Sequence, residues 1–502
     1  MVRHLTPRPD AALCAALAAD LHAADLRTEP LRLAWGEDAD DAFGRGIRGP
    51  LLRAIEARSD SLATLARFFV MGLPQPVEAV ETALPQVGLS GLESLGLAYV
   101  EADVAVPAAL IRPQSFVDAD GISQWWIASD LDEAALGGAL PADHVLGVGG
   151  ASRTLGELVM PVPVARALDL GTGCGIQALL VARHATQVVA TDISARALAY
   201  AEINAMLAGV TTIEFRQGSM FEPVAGETFG LVVSNPPFVI TPRAEGVPEY
   251  EYRDGGLVGD ALVEQFVREA PGHLIAGGAA QLLGNWESRA GETGLDRLRS
   301  WVPAGVDSWV IERESLSPIA YAELWIRDGG TTPREPEFEA LLEAWTDDFA
   351  ARSVSEIGFG YVLLRKPKDA SAPRLVRSEK LAQPISAAGR ALRAGVAAHD
   401  VLASGLPDRL VVASDVTEAR HHMPGAEHPS VIELRQGGGF SRVISVDSLL
   451  AGFVGACDGE LTIAQIAAAL ADLFDVPFAE LWADLEPRVR ALVVDGFLVT
   501  DA

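Results

Sequence analysis

The feature that most constrains the fold is an alternation of short apolar segments with helical segments between residues 150 and 368. The apolar segments predict seven strands, at Ala165–Leu170, Gln187–Thr191, Thr212–Arg216, Leu231–Ser234, Ala279–Leu283, Trp309–Glu312 and Gly360–Leu364. Helices are predicted between them, at Ile176–Ala185, Ala195–Ala208 and Ala261–Leu274. This alternation indicates an α/β fold with a seven-stranded, mostly parallel, doubly wound sheet, whose ligands bind at the carboxyl ends of the strands.

The chain divides into four regions by pattern. Residues 1–145 begin with helical periodicity, followed by short helices and a hairpin, which predicts an N-terminal winged-helix-like domain that recruits substrate. Residues 146–368 form the predicted catalytic domain, and the basic, proline-containing segment 369–380 is expected to be a linker. Residues 381–502 form a C-terminal domain whose last helices and short strand again fit a small winged helix. Such modules bind either nucleic acid or protein, so this pattern leaves both open.

Charge and cysteine content exclude several classes of protein. The formal net charge is −29, and every third of the chain is acidic, which weighs against an extended contact with a nucleic-acid backbone. The three cysteines lie far apart, without the spacing of a disulfide framework or a zinc site. His421, His422 and His428 also lack metal-ligand spacing, so we expect no metal. No apolar run is long enough to span a membrane, and arginine far outnumbers lysine, so we expect a cytoplasmic, bacterial protein. The sequence leaves the oligomeric state open, with a monomer favoured.

A glycine-rich bend follows the first predicted strand of the catalytic domain. The strand ends at Asp169, and three alternating glycines then precede a helix. Glycines in such a bend permit tight turns and a close approach of a ligand to the backbone. Asp192 ends the next strand, where a carboxylate can accept hydrogen bonds from both ribose hydroxyls of an adenosine. An acid in the bend repels a pyrophosphate but suits an ammonium group, which favours S-adenosylmethionine over a nicotinamide dinucleotide.

A second motif, Asn235-Pro236-Pro237-Phe238, follows the fourth predicted strand. The two prolines stiffen the turn, since each fixes its own φ angle. The Asn235 side-chain oxygen and the Pro236 carbonyl can then accept both hydrogen atoms of a planar –NH₂ group, and Phe238 can stack on the flat group that carries it. Accepting both hydrogen bonds holds the nitrogen with its lone pair directed at a methyl donor. The motif predicts methyl transfer to an amino or amide nitrogen.

Together these motifs resemble the class I S-adenosylmethionine-dependent methyltransferases of the small branch. That branch contains release-factor glutamine methyltransferases and ribosomal and transfer-RNA guanine and adenine N-methyltransferases. The resemblance covers residues 150–368, under half of the chain, and it implies S-adenosylmethionine as cofactor and Asn235 to Phe238 as catalytic residues. It also implies cofactor contacts at Asp169, Gly171, Thr172, Gly173, Gly175, Asp192, Ile193, Ser219, Met220 and Asn235.

Two positions depart from the pattern of this family. Many relatives have an acid after the glycine that follows the third strand, where this chain has Ser219. The fourth position of the catalytic turn is Phe238, where the glutamine enzymes have tyrosine, and this favours a nucleobase as acceptor.

Two segments beside the motifs are candidates for the substrate site. The glycine-rich stretch 146–154 precedes the first strand, and its position resembles the segment that closes over cofactor and substrate in this family. Ser152 and Thr154 are its candidate site residues. The segment 249–256 follows the catalytic turn and combines aromatic and charged residues with a glycine pair, so Tyr252 and Arg253 are candidates in a covering loop.

Three hypotheses for the function follow. In the first, the protein methylates a nucleobase amino group in RNA, which the terminal domains recruit. In the second, it methylates a protein side-chain amide or a small metabolite. In the third, it is a non-catalytic regulatory protein that binds the cofactor, which the intact turn at Asn235 argues against. We expect a basic rim around Phe238 if RNA is the acceptor, and an acidic or apolar one otherwise.

Overall fold

The computed structural model describes residues 3–118, 121–137, 140–244, 247 and 253–500. Within those ranges no helix is both long enough and apolar enough to cross a membrane. The chain forms an N-terminal domain of short helices and hairpins, a central α/β domain and a C-terminal domain of helices with small sheets.

The N-terminal domain is mainly helical. Its helices are α1 Ala11–Ala23, α2 Thr28–Trp35, α3 Glu37–Gly44, α4 Gly49–Ala54, α5 Ser61–Leu65, α6 Val77–Ala83, α7 Gly88–Leu95 and α8 Glu133–Leu136, with a π-helical turn at Ala66–Val70. Its strands are β1 Gln75–Pro76, β2 Ala98–Glu101, β3 Val104–Pro107, β4 Leu110–Asp118 and β5 Gly121–Ser129. The first three form an antiparallel sheet in the order β1-β3-β2, and β4 pairs with β5 in a separate hairpin.

The central domain alternates strands and helices. Its strands are β6 Val164–Leu170, β7 Ala185–Asp192, β8 Ile213–Gln217, β9 Phe229–Ser234, β10 Leu274–Arg289, β11 Asp307–Leu316 and β12 Val354–Arg365. Its helices are α9 Gly150–Leu158, α10 Ile176–Val181, α11 Ala195–Leu207, α12 Ala261–Glu269, α13 Gly294–Trp301, α14 Pro318–Asp328 and α15 Glu337–Ala351, with 3₁₀ turns at Glu222–Val224 and Ala270–His273. Each of the seven predicted strands corresponds to one of these strands.

The C-terminal domain combines a helical core with small antiparallel sheets. Its strands are β13 Val376–Lys380, β14 Val411–Val412, β15 Val416–His421, β16 Val431–Gln436, β17 Val443–Val446 and β18 Leu498–Val499. Its helices are α16 Ala388–Leu402, α17 Ser448–Gly455, α18 Ile463–Phe474 and α19 Phe478–Asp495. Strands β15, β16 and β17 form one sheet, and β14 pairs with β18.

The large sheet has the order β13-β11-β12-β10-β9-β6-β7-β8. The five strands from β8 to β10 run parallel, and β12 runs antiparallel to both of its neighbours. The α/β fold with a mostly parallel sheet is therefore confirmed, but the predicted count of seven strands is wrong. Residues Val376–Lys380 add an eighth strand, parallel to β11. The prediction of a linker over 369–380 is wrong for these residues. Their basic side chains suggested a solvated connector, whereas Arg377 and Lys380 form ion pairs with buried or half-buried acids.

A buried ion pair joins the N-terminal domain to the central domain. Asp130, at the end of β5, forms a bidentate ion pair with Arg196 of α11 and accepts a hydrogen bond from the Tyr200 hydroxyl at 2.9 Å. Burial opposes the charged form of this carboxyl, but the Arg196 guanidinium outweighs it, so the pKa of Asp130 lies below its ordinary value. Asn204 of α11 adds hydrogen bonds to the backbone N–H and carbonyl of Ala128, at 2.7 and 2.9 Å. These bonds fix the β4–β5 hairpin against α11, which packs on β7 and β8 of the sheet.

Asp130→Ala is expected to loosen this junction, because it leaves Arg196 buried without its partner. Removing one member of a buried ion pair costs about 3–5 kcal/mol. Calorimetry should show a lower melting temperature, and limited proteolysis should cut sooner between the two domains. Asp41→Ala is the control, since the side chain of Asp41 is exposed on α3, away from Arg196. Equal melting temperatures for the two variants would contradict the role given to Asp130.

Candidate functional site

A cleft of about 1150 Å³ lies at the carboxyl ends of β6, β7 and β9, between the central domain and the β4–β5 hairpin. Thirteen of the sequence-predicted site residues line it: Ser152, Gly171, Thr172, Gly173, Asp192, Ile193, Ser219, Met220, Asn235, Pro236, Pro237, Phe238 and Arg253. Asp169, Gly175 and Thr154 are not among the residues that line the cleft. Tyr252 lies outside the described residues.

The glycine bend forms the floor of the cleft. Gly171 and Gly173 have positive φ angles of 72° and 54°, and a Cβ atom added to either would meet no described atom within 4 Å. The bend is therefore open toward the cleft, as close approach of a ligand to its backbone requires. Gly175 serves a different purpose, because an added Cβ would lie 2.9 Å from the Cβ of Ala201. It lets helix α10 begin directly against α11.

Asp169 lies beneath the bend and is fully buried. Its Oδ2 accepts a hydrogen bond from the Thr172 hydroxyl at 2.6 Å, and the backbone N–H of Ala178 is near enough to lower the pKa of the carboxyl, but Oδ1 has no hydrogen bond within the described residues. Burial raises the pKa of Asp169 to about 7. A buried carboxylate with a vacant acceptor atom fits a cationic ligand nearby, as the ammonium group of an amino-acid cofactor would provide.

Asp192 ends β7 at the side of the cleft. Its Oδ2 accepts a hydrogen bond from the Gly173 N–H and its Oδ1 one from the Ser194 N–H, both at 2.9 Å. Burial raises the pKa of this carboxyl group above its ordinary value. Each oxygen retains a second lone pair, so the carboxylate can accept hydrogen bonds from two neighbouring hydroxyl groups. The adjacent Ile193 is 64% exposed and presents an apolar surface to the cleft, which fits a flat ring.

Asn235 occupies the corresponding position after β9. Its Oδ1 is buried without a hydrogen-bond donor among the described residues, while its Nδ2 donates to the Ser152 hydroxyl at 3.4 Å. Phe238 lies half-buried, 5.5 Å from Phe359 between ring centroids, with one part toward the cleft. The turn therefore presents a vacant acceptor beside an aromatic surface.

Carboxylates outnumber guanidinium groups on the described lining of the cleft. Its three arginines, Arg112, Arg196 and Arg253, are each ion-paired to an aspartate of the same lining. Among the described residues the rim therefore lacks the basic character expected for binding RNA, because recognition of phosphate groups needs cations that are free to neutralise them. The described part of the chain also contains no group of three His, Cys, Asp or Glu side chains placed to hold a metal ion.

The sequence did not reveal that the β4–β5 hairpin forms one wall of the cleft or that Gln177 lines it. Arg112, Gln114 and Ser129 project from β4 and β5, far from the motifs in sequence, and no local pattern indicates that they meet the bend. Gln177 did carry a signal, since it is a polar residue in an apolar helical run directly after the glycines. It is 3% exposed and lines the cleft.

Comparison with known proteins supports the interpretation of the central domain. Residues 148–298 match the model of the methyltransferase small domain, and residues 23–109 match a domain of unknown function, DUF7059. A release factor glutamine methyltransferase of Xylella fastidiosa is 39% identical over 134 residues, which are 25% of this chain and 48% of that protein. A ribosomal protein uL3 glutamine methyltransferase of Bordetella pertussis is 36% identical over 132 residues, which are 24% of this chain and 44% of that protein.

The chain spans about half the length or less of the first curated relatives it matches. A solved 16S rRNA methyltransferase of T. thermophilus shares 19% identity at a TM-score of 0.29, over 47% of this chain and 60% of its own, a likeness too weak to carry an argument. The central domain is a class I S-adenosylmethionine-dependent methyltransferase domain of the small branch.

Asp169→Asn is expected to change how cofactor binding depends on pH. With a folded-state pKa of about 7, Asp169 is mostly protonated at pH 6 and mostly ionised at pH 8, and the ionised form attracts a cationic cofactor. Affinity of the native protein for S-adenosylmethionine should therefore rise about tenfold between pH 6 and 8. Calorimetric titration of Asp169→Asn should show weaker binding with a flatter pH dependence, whereas the exposed Asp41→Asn should behave like the native protein.

The same carboxyl group predicts a dependence of stability on pH. Because the pKa of Asp169 is higher in the folded than in the unfolded chain, its contribution to stability is complete below about pH 4 and is lost as the pH rises through 7. Asp169→Asn should remove that loss, so its melting temperature without cofactor should exceed that of the native protein at pH 8. If the melting temperature of Asp169→Asn depends on pH in the same way as that of the native protein, the pKa assigned to Asp169 is wrong.

Proposed function

We propose that this protein is an S-adenosylmethionine-dependent N-methyltransferase that methylates the side-chain amide of a glutamine in a protein. The observation that carries the proposal is the buried Oδ1 of Asn235, which has no donor among the described residues and belongs to a residue that lines the same cleft as the glycine bend and Asp192. An acceptor atom left without a donor is costly in a folded protein, and an –NH₂ group of a substrate would satisfy it.

The residues of the bend would hold the cofactor. Gly171 and Gly173 leave room for it, the vacant Oδ1 of Asp169 favours its ammonium group, and Asp192 offers acceptors to its ribose hydroxyls. Ile193 adds an apolar surface, and Ser219 and Met220 line the same end of the cleft. When bound, S-adenosylmethionine supplies an electrophilic methyl group on a sulfonium sulfur.

The catalytic turn would position the acceptor nitrogen. An amide nitrogen is a poor nucleophile, and the Asn235 Oδ1 and the Pro236 carbonyl would accept its two hydrogen atoms and relieve the positive charge that develops on it during transfer. Phe238 would pack against the flat amide and keep water away from it. Positioning of this kind lowers a barrier by about 7–11 kcal/mol. The new N–C bond would replace the methyl–sulfur bond and leave a neutral thioether, and the nitrogen would lose one proton to solvent, which restores a neutral methylated amide.

Two observations favour a protein amide over an RNA base. Both glutamine methyltransferases described above match this domain, and they are named for protein acceptors. The lining of the cleft is acidic, and its arginines are ion-paired within it, which suits an acceptor segment that is neutral or basic. Phe238 in place of tyrosine favoured a nucleobase as acceptor, but the acidic lining around Phe238 does not support that acceptor.

The flanking domains would recruit the acceptor. In the N-terminal domain, α5, β1, α6, α7, β2 and β3 follow one another in the order of a winged helix, which supports the proposed winged-helix-like domain there. The β4–β5 hairpin that follows forms one wall of the cleft, so an acceptor that reaches Asn235 must contact it. The cytoplasmic location and the monomeric state stay predictions.

Transfer of label from tritiated S-adenosylmethionine tests the function. The purified protein is incubated with bacterial cell extract separated into protein, RNA and small-molecule fractions. We expect label in protein, removed by protease and insensitive to ribonuclease, with mass spectrometry placing the methyl group on a glutamine side chain. Label in RNA would establish the nucleobase alternative. Cofactor binding without label in any fraction would indicate a regulatory protein.

Asn235→Ala is expected to separate binding from turnover. Loss of one preorganised hydrogen-bonding partner in an active site lowers kcat about 100- to 1000-fold. The Kd for S-adenosylmethionine, measured by calorimetric titration, should change by less than about threefold, because we propose that Asn235 Oδ1 serves the acceptor, although the family resemblance also implied a cofactor contact at this residue. A parallel loss of both quantities would show that the assigned role is wrong.

A further inference from the structure

The turn between α18 and α19 leaves large apolar side chains in solvent. Leu473 is 75% exposed, Phe474 43% and Phe478 44%. The ring of Trp482, one helical turn further along α19, stacks on the ring of Phe478 at 6.3 Å between centroids. We call these four residues the C-terminal apolar patch. Single exposed apolar residues are common on proteins, whereas a group of large ones indicates a contact surface.

Folding of the C-terminal domain does not require the exposed members of this patch. Helices α18 and α19 reach the core of the domain through other side chains, which are Ile463, Ile466, Leu470, Leu481, Leu485 and Val489. Leu473, Phe474 and Phe478 lie outside that core. An apolar side chain outside the core adds little stability and exposes a surface that promotes aggregation. A binding partner therefore explains these three residues better than packing within the domain does.

The patch lies in a stretch of chain that has no basic residue. Residues 443–487 contain eight Asp or Glu residues and no Lys, Arg or His. Three of these acids, Asp472, Asp475 and Glu480, flank the patch and are exposed. None of the three forms an ion pair with a described residue. The apolar surface is therefore surrounded by carboxylates that are available to a cationic partner.

Helix α19 presents the patch at the end remote from the central domain. At its C-terminal end Asp495 forms an ion pair with Arg377 of β13, at 2.6 Å. Phe478 is the first residue of the same helix. At a rise of 1.5 Å per residue the two ends lie about 25 Å apart. A partner bound to the patch would therefore leave the docking of the C-terminal domain on the central domain intact.

The charge around the patch selects among possible occupants. Helices α18 and α19 are joined by three residues, as in a helix-turn-helix, but residues 478–487 of α19 offer no cation to a nucleic-acid backbone. An anionic membrane surface is repelled for the same reason. A symmetric contact with a second copy would bring the flanking carboxylates against themselves. A basic protein segment satisfies both the charge and the apolar surface.

We propose that the C-terminal apolar patch is a docking surface for a basic protein segment that also presents apolar side chains. The apolar side chains of the segment cover the patch, and its Lys or Arg side chains pair with the three flanking carboxylates. Apolar contact supplies most of the affinity, and charge selects the partner and speeds its association. The inference goes beyond the proposed function, because binding at this surface takes no part in methyl transfer and either can fail without the other.

Calorimetric titration of the full chain with three synthetic peptides tests the chemistry of the partner. The first is an amphipathic helical peptide of leucine and lysine. The second replaces its lysines by glutamate, and the third replaces its leucines by serine. The leucine–lysine peptide should bind, the glutamate peptide should not, and the serine peptide should bind at least about tenfold more weakly. No binding of the leucine–lysine peptide, or equal binding of the serine peptide, would overturn the proposal.

Substitutions at the surface test the location. Leu473→Ser and Phe478→Ser should each weaken binding of the leucine–lysine peptide at least about tenfold without changing the melting temperature, since both side chains are exposed. Leu33→Ser is the matched control, because Leu33 is 77% exposed on α2 in the N-terminal domain. Glu480→Lys should weaken binding about fivefold, whereas Asp41→Lys, which changes the net charge equally, should not. Equal effects of the patch and control variants would contradict the assigned surface.

The remaining occupants are tested with the same variants. Hydrogen exchange should show protection of residues 472–482 when the leucine–lysine peptide binds, and protection confined to other segments would overturn the proposal. Sedimentation that shows a dimer of the free protein, dissociated by Leu473→Ser, would make a second copy the occupant instead. Binding to vesicles of phosphatidylcholine and phosphatidylglycerol that Leu473→Ser abolishes would identify a membrane surface and also overturn it.

Discussion

The parallel pairing of β6 with β7 on one side and β9 on the other is the constraint on which the site depends. Leu170 lies opposite Thr191 in one pair and opposite Ser234 in the other, so three strands end at the same level. The residues that follow them, the glycine bend, Asp192 and Asn235, are brought together by that register alone. A shift of one residue in either pair would turn the strand residues to opposite faces and separate the cofactor groups from the acceptor group.

The site also depends on a junction that the catalytic fold does not supply. Helix α11 covers the sheet on one side and receives the β4–β5 hairpin on the other, through Asp130, Arg196 and Asn204. Because α11 begins shortly after Asp192, this one helix connects β7 to the β4–β5 hairpin that forms a wall of the cleft. The cleft therefore keeps its width because a buried, fully partnered ion pair fixes the N-terminal domain.

The polar atoms left unpaired in the cleft and beneath its glycine bend are distributed unevenly. Asp169 Oδ1 and Asn235 Oδ1 lack donors in the described residues, whereas the cleft arginines are ion-paired. Vacant acceptors with engaged cations suit ligands that donate hydrogen bonds or carry positive charge, such as a sulfonium amino acid and an amide nitrogen. They suit a polyanion poorly, which is why the charge of the cleft favours a protein acceptor although the motif alone admitted RNA.

The sequence by itself determined the strands of the central domain, the bend at Asp169, the acid at Asp192 that is proposed to bind the ribose, and the turn at Asn235. Each of these is a local pattern whose chemistry and backbone geometry are set by adjacent residues. The eighth strand could not be predicted, because Val376–Lys380 is basic and short, and only pairing with β11 makes it a strand.

Only the tertiary structure decided the hairpin wall, the acidic rim and the contact between Ser152 and Asn235. These pair residues that are distant in the chain, and their proximity depends on how α9, α11 and the N-terminal domain pack on a sheet already formed. Gln177 involves both the sequence and the tertiary structure. Its polarity was visible in the sequence, but its hydrogen bond to the Ser152 carbonyl forms only when α9 packs beside α10.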